Sequence, residues 1–241
     1  MSHGNGAKEP KPVRSWAVLP KDGIVLVTGD IDEGKSATVW WLAEKHHEAG
    51  GQVAAYHFPI EARRALPKWV NTRVESVKDL SKLRSPHLVV VDESAFNANS
   101  RRAMSEDNVD WTRMAAIVRH KGHILYHIAQ HNRQPDPALV TAARVCIIKR
   151  PSILHLRFSR PELLPELKEA YARFSEMRGN TRKKAFVVNY RNGENGLLTT
   201  HMPAFWSDEL SRSFAAVDFD DTNGPQPTAR GTGFRKRKRA Q

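Results

Sequence analysis

At 241 residues and 27.2 kDa the chain can bury one substantial core, with room for a small appendage but not for two ordinary domains. Hydrophobic residues make up 40% and charged residues 27%, which excludes a wholly disordered chain. The net charge of +12, with a pI near 10.0, favours polyanionic partners, nucleic acid ahead of an anionic membrane surface. No run of 18 apolar residues occurs, and the opening MSHGNGAKEPKPVR lacks the apolar stretch of a secretory signal. The sequence therefore predicts no membrane-spanning helix and no export by that route. A single cysteine, Cys146, rules out an internal disulfide framework and fits a reducing, cytoplasmic setting; its apolar neighbours Val145, Ile147 and Ile148 make it a buried strand thiol.

Residues 1–20 are polar and proline-bearing and read as an extended arm, with Trp16, Ala17, Val18 and Leu19 as its first contact with a core. The β-branched run at 24–27 predicts a central parallel strand covered on both faces. A helix over 35–48 follows, with Ala37, Trp40, Trp41 and Ala43 turned inward, and Gly50 and Gly51 end it. Residues 52–56 form a second strand. From 59 to 85 the pattern is mixed: a short helix near 61–65, a minor strand at Val74 and a helix over 77–83. Residues 88–91 are a second buried strand, running straight into Asp92 and Glu93. A polar loop at 97–108 leads to a helix over 109–120, a strand over 124–129, a short helix over 135–143 and a strand over 145–148.

Such alternation is the signature of a doubly wound α/β sheet, mainly parallel, with helices on both faces. Beyond Pro151 the pattern changes. Residues 153–158 alternate in the manner of a strand, 163–177 form an amphipathic helix, and 185–190 with 197–200 form strands joined through a turn-rich connection that extends or flanks the core sheet. From about 216 the chain is acidic, then rich in Gly and Pro, and ends FRKRKRAQ, the composition of a disordered tail. The division expected is an arm (1–20), a core (21–160), a helix and β-hairpin extension (161–215) and a basic tail (216–241).

Residues Gly29, Asp30, Ile31, Asp32, Glu33, Gly34, Lys35 and Ser36 fit G-x-x-x-x-G-K-[ST] without a mismatch, between a strand and a helix. Glycines let backbone amides turn around phosphate oxygens, and the helix N-terminus, from Ala37 onward, adds its dipole. Lys35 reaches the β- and γ-phosphates of ATP, and the Ser36 hydroxyl can ligate Mg²⁺. Asp30, Asp32 and Glu33 sit where they would repel phosphate unless their side chains point away from it. Asp92, at the C-terminal end of its strand, opens onto the same crevice and should hold Mg²⁺ through water, with Glu93 polarising the attacking water as general base. Gln130 ends the next core strand; it is a candidate sensor of the γ-phosphate or a polar strand end satisfied by loop amides. Arg113, Arg119, Arg133 and Arg144 are candidates for a charge-stabilising finger in a neighbouring subunit's site, with Arg119 and Arg144 favoured, although such an arginine is more often simply a solvated surface residue.

At these residues the chain resembles the additional-strand P-loop ATPases (RecA-like P-loop NTPases) of the FtsK and HerA superfamily, including viral genome-packaging ATPases and the zonular occludens toxin group. The resemblance rests on residues 29–36, on VVVDES ending in Asp92 and Glu93, and on Ile128, Ala129, Gln130 and His131 followed by 136–140, and it covers about residues 20–160. It implies a homo-oligomeric ring, a hexamer or pentamer, that moves double-stranded DNA by ATP hydrolysis, in a host cytoplasm or virion, with a capsid or membrane-associated protein as a further partner. Zonular occludens relatives usually carry a membrane-spanning helix that this sequence lacks, which tilts the expectation towards packaging. The tail residues Arg235, Lys236, Arg237, Lys238 and Arg239 can neutralise DNA phosphates, or serve as a solubilising or targeting tail. A second basic group, Arg178, Arg182, Lys183 and Lys184, reads as a channel loop or a solvated edge. The histidines lack metal-ligand spacing, so no metal beyond Mg²⁺ is assigned. Two other functions remain open: a small nucleotide-dependent kinase or transferase, and a non-catalytic nucleic-acid-binding regulator.

Overall fold

The apolar β-branched runs become the centre of one sheet, because only strands covered on both faces can bury every residue of such a run. The computed structural model describes residues 11–58, 65–70, 72–92, 111–129, 136–208 and 210–211. Its strands are β1 (Gly23–Thr28), β2 (Gln52–Tyr56), β3 (Thr72–Val74), β4 (His87–Asp92), β5 (Ile124–Ile128), β6 (Ala143–Ile148), β7 (Lys184–Asn189) and β8 (Asn195–Thr199). They lie in the order β3-β2-β4-β5-β1-β6-β7-β8. The first six in that order are parallel, and β7 and β8 add an antiparallel hairpin at the β6 edge. Every residue of β1, β4 and β5 is buried.

The α-helices among the described residues are α1 (Lys35–Glu48), α2 (Val77–Lys82), α3 (Trp111–Lys121), α4 (Pro137–Ala142), α5 (Ile153–Phe158) and α6 (Leu164–Ser175). The two-residue alternation of β1 sorts them. Val25 and Val27 face α1, where Trp40 is wholly buried among Val53, Val90, Ile128 and Ile147. Ile24 faces the other way onto Met114, Val118 and Leu139 of α3 and α4. Leu26 meets Leu167, Ala170 and Phe174 of α6 through Cys146, Ile148 and Phe186. Cys146 is completely buried there, and desolvation pushes its thiol pKa up to about 12, a structural thiol rather than a nucleophile.

The arm joins the far edge. Val13 N–H donates to Asn195 O at 2.8 Å and Asn195 N–H to Lys11 O at 3.1 Å, so residues 11–13 run beside β8. Trp16 then donates to Thr199 O and packs edge-on against Trp41 of α1, centroids 5.6 Å apart. One expectation is corrected: residues 153–158 form helix α5, not a strand. Ser152 caps it by accepting from the His155 amide, and Ile153, Leu154 and Phe158 are 55%, 61% and 55% exposed, so the alternating pattern marks no buried sheet face. The helix expected near 61–65, the loop 97–108 and the tail from 216 onward fall wholly or largely outside the described residues.

Two buried histidines make the fold acid-sensitive. His123 accepts the His87 amide at Nδ1 (2.9 Å) and is fully buried, as is His127, and desolvation lowers both pKa values to about 4. The unfolded chain takes up these protons near pH 6.5, so the stability that the neutral rings supply is present above that value and is lost as pH falls toward 4. Urea unfolding at pH 7 and pH 5 should differ by about 2 kcal/mol for each histidine, and His123→Gln should shrink the difference. An unchanged midpoint would contradict this account.

Candidate nucleotide-binding site

The loop between β1 and α1 is shaped by backbone that few side chains tolerate. Gly29 has φ 137° and Gly34 φ 82°, both left-handed, and Asp32 joins them at φ 60°, a region Asp enters more readily than most residues. At Gly29 the restriction is also steric, since a Cβ there would lie 2.6 Å from the Lys149 carbonyl oxygen. Gly34 directly precedes α1 and its carbonyl accepts both the amide and the hydroxyl of Thr38. The first turn of α1 therefore points its amides into the concavity of the loop, the arrangement that holds anions.

Lys35 opens α1 and is only 5% exposed. Its ammonium donates to Gly29 O at 2.9 Å and Asp30 O at 2.8 Å, so it lies across the mouth of the loop. Burial lowers its pKa, opposed by Asp92 first and then by the loop acids. Ser36 Oγ donates to Asp92 Oδ2 at 2.7 Å. Asp92 ends β4, and β5 is interposed between β4 and β1, so the hydroxyl and the wholly buried carboxylate meet across an inserted strand. That inserted strand is the extra strand implied by the resemblance.

The loop acids take different courses. Asp30 accepts the Ile31 amide at 2.9 Å and approaches His155 at 3.6 Å, while Asp32 is exposed. Glu33 turns partly inward, in the fields of Lys35 and Lys149. Asp30 thus occupies a loop amide that a phosphate oxygen would otherwise take, and Lys35 is engaged by the loop's own carbonyls. Nucleotide must compete with both, which gives the acidic sequence of the loop a physical cost.

Two contributors were not singled out from sequence. Lys149, directly after β6, is completely buried; its amide donates to Thr28 O, and its ammonium donates to Arg182 O (2.6 Å) and Thr200 Oγ1 (3.2 Å). Burial pulls its pKa down to about 8, with Glu33 opposing. His155 of α5 reaches Asp30 from above. Both follow the C-terminal end of a core strand, the same positional rule that picked out Asp92, and that rule could have found Lys149.

The arginines separate by end. Helices between parallel strands run antiparallel to them, so the last turn of α3 and the start of β6 lie away from the loop. Arg119 is exposed in that last turn, and Arg144 pairs with the Asp22 carboxylate and donates to Asp22 O at 2.9 Å. Neither is brought to the cradle within this chain, whereas Arg113, in the first turn of α3, lies toward the cradle end. Glu93, Gln130 and Arg133, like the tail residues 235–239, lie outside the described residues. Among the described residues there is no cluster of three or more metal-ligating His, Cys, Asp or Glu, and no helix long and apolar enough to cross a membrane. A hydroxyl and a carboxylate, hard oxygen donors in contact, suit Mg²⁺.

No family model matches the sequence, and no curated protein matches it. Solved structures do. The genome packaging NTPase B204 from Sulfolobus turreted icosahedral virus 2 in complex with AMP gives a TM-score of 0.54 at 12% identity, covering 76% of this chain and 100% of that one. Its complex with AMPPCP gives 0.52 at 12% identity, with the same coverage. Its complex with ATP-gammaS gives 0.51 at 13% identity, covering 77% and 99%. Loop, inserted strand and strand-end acid thus belong to the α/β fold of a P-loop NTPase, the fold this chain shares with the genome packaging NTPase structures it is similar to.

Proposed function

We propose that the chain is an ATP-hydrolysing motor that binds double-stranded DNA and translocates or packages it as a ring oligomer. The observation that carries the ATPase reading is the Ser36 to Asp92 hydrogen bond, which joins the phosphate loop to the strand-end acid. Loop amides and Lys35 hold the β- and γ-phosphates, and Ser36 and Asp92 hold Mg²⁺, which supplies charge neutralisation on those phosphates. Glu93 follows Asp92 directly and takes the proton from water as its oxygen bonds to the γ-phosphorus; the bond to the bridging oxygen breaks and ADP leaves with that electron pair. Gln130, next in the chain after the Ala129 that pairs with Val27, reads the γ-phosphate.

Net charge and two basic segments support the DNA reading. Arg178, Arg182 and Lys183 are exposed in the turn before β7, and the tail carries Arg235, Lys236, Arg237, Lys238 and Arg239. Such contacts fall on phosphate, so binding should be insensitive to sequence and steeply weakened by salt. B204, described as a genome packaging NTPase, supports the same direction. For a finger acting across a subunit boundary, the placement of Arg113 favours it over Arg144, whose guanidinium already serves Asp22.

The test is ATP turnover with and without duplex DNA at low and moderate salt. Turnover should rise on adding DNA, and Glu93→Gln should lower it by about 10²–10³-fold while ATP binding persists. Wild-type turnover in Glu93→Gln would remove the base assignment. Turnover indifferent to DNA, with no DNA bound at low salt, would remove the motor. Transfer of phosphate to a small acceptor would favour a kinase, and DNA binding without any turnover a regulator.

A further inference from the structure

Lys149 joins the phosphate loop to the basic turn before β7. Its backbone belongs to the loop side: the amide donates to Thr28 O at 2.8 Å, and the carbonyl oxygen would lie 2.6 Å from a Cβ on Gly29. Its ammonium belongs to the turn, donating to Arg182 O at 2.6 Å and to Thr200 Oγ1 at 3.2 Å. Thr200 is itself tied to that turn, its amide donating to Lys183 O at 2.8 Å and its hydroxyl to Arg182 O at 3.3 Å. Arg182 thus carries both the carbonyl that holds the ammonium and an exposed basic side chain.

A second acceptor lies within the field of that ammonium. Burial lowers the Lys149 pKa, and Glu33 of the phosphate loop opposes the fall. Glu33 Oε2 is buried without a hydrogen-bond partner among the described residues. A carboxylate oxygen left unpaired in this way is costly, and a phosphate entering the loop adds repulsion to that cost. The ammonium is therefore committed to neutral oxygens of the hairpin while an anion nearby goes without. Release from Arg182 O would let it pair with Glu33, and these two arrangements are the alternative states that coupling between separate sites requires.

We propose that Lys149 is a two-position relay between the basic turn and the phosphate loop. Duplex phosphates drawn to Arg178, Arg182 and Lys183 shift the Arg182 carbonyl off the ammonium, and Lys149 turns to Glu33, neutralising the acid that competes with the triphosphate. The relay rests on the proposed function, a loop that binds ATP and a turn that binds DNA. It divides the two basic segments: the turn signals to the nucleotide site, whereas the tail supplies DNA affinity alone. By linkage, ATP in the loop tightens duplex at the turn by the same factor.

Calorimetric titration of ATP into the full chain, with Mg²⁺ at low salt and with or without saturating random-sequence duplex, tests it. Duplex should tighten ATP binding to the wild type by about fivefold or more. Glu33→Gln should tighten ATP binding without duplex by a similar factor and leave duplex less than about a twofold further effect, a gain that a merely structural glutamate would not give. Lys149→Met should lose the effect of duplex. Thr200→Val, which keeps the charge but removes one acceptor, should tighten ATP binding without duplex. Replacing Arg178, Arg182 and Lys183 by Gln should abolish the effect, whereas the same change at residues 235–239 should weaken duplex binding and keep the effect at saturation. Equal ATP affinity with and without bound duplex in the wild type overturns the relay while both binding readings stand. An effect that survives Glu33→Gln or Lys149→Met in full overturns it as well. A wild-type chain that binds no ATP, or no duplex at low salt, removes the reading on which the relay rests and the relay with it.

Discussion

Replacing Lys35 by alanine should lower ATP turnover by at least about 10²–10³-fold and leave the stability of the fold within about 1 kcal/mol of wild type. The two effects separate because the ammonium is poorly placed for stability and well placed for phosphate. It is 5% exposed, and burial disfavours its charged form, lowering its pKa. Against that cost stand two hydrogen bonds to Gly29 O and Asp30 O and the nearby acids. Truncation removes the buried charge and the two bonds together, so the folding terms largely offset one another. Nothing offsets the loss at the γ-phosphate, where charge develops during transfer. Lys35→Arg should not rescue turnover, because a planar fork does not fit where a single ammonium is held between two carbonyls. Turnover assays with thermal unfolding of the same preparations check both halves; a variant that hydrolyses ATP at more than a tenth of the wild-type rate would contradict the phosphate role.

Much of the fold was legible because the strands carry their burial in their sequence. Val89, Val90 and Val91 must be covered on both faces, and that requirement alone placed Asp92 at a crevice. The bend of the loop at 29–36 was legible for a related reason: Gly29 and Gly34 sit where left-handed backbone is needed. Residues 153–158 were misread because exposure, not pattern, decides between an alternating strand and a short helix. The cap signal, Ser152 three residues before His155, was present but is weak in so short a segment. Strand order could not be read at all, since parallel strands joined by helices fix handedness but not which neighbours pair. The approach of Lys149 to Gly29 follows from that order, which sets β6 beside β1. A lysine after an apolar run reads as a solvated residue; its burial is a property of the β7–β8 hairpin folded over it, through Arg182 O and Thr200.

The loop is braced from both sides by different chemistry. On the β6 side the contact is steric and backbone-mediated: Gly29 lies against Lys149, and the Asp30 amide meets Arg150 O. On the β4 side it is one hydrogen bond between ionisable and neutral oxygen groups, Ser36 to Asp92. Only the second can exchange a protein partner for a metal ion without moving the backbone, so the sensitivity of the site to metal should reside there.

Asp92→Asn isolates that property. The amide oxygen of asparagine can still accept from Ser36 Oγ, so the brace and the fold survive, but the negative charge is gone. Affinity for ATP without Mg²⁺ should hold or rise, since a buried carboxylate no longer opposes the phosphates, while the gain in affinity on adding Mg²⁺ should largely vanish. Turnover should fall by about 10²–10³-fold, as expected when charge stabilisation is removed from a phosphoryl-transfer site. Loss of the carboxylate also removes the foremost of the acids that hold the Lys35 pKa up, so ATP binding in the variant should weaken at a lower pH than in wild type as the ammonium deprotonates. ATP titrations across pH, with Mg²⁺ and with chelator, measure all three effects. If Asp92→Asn keeps both its Mg²⁺-dependent affinity and its turnover, Asp92 is not a metal-holding residue, and its contact with Ser36 serves the fold alone.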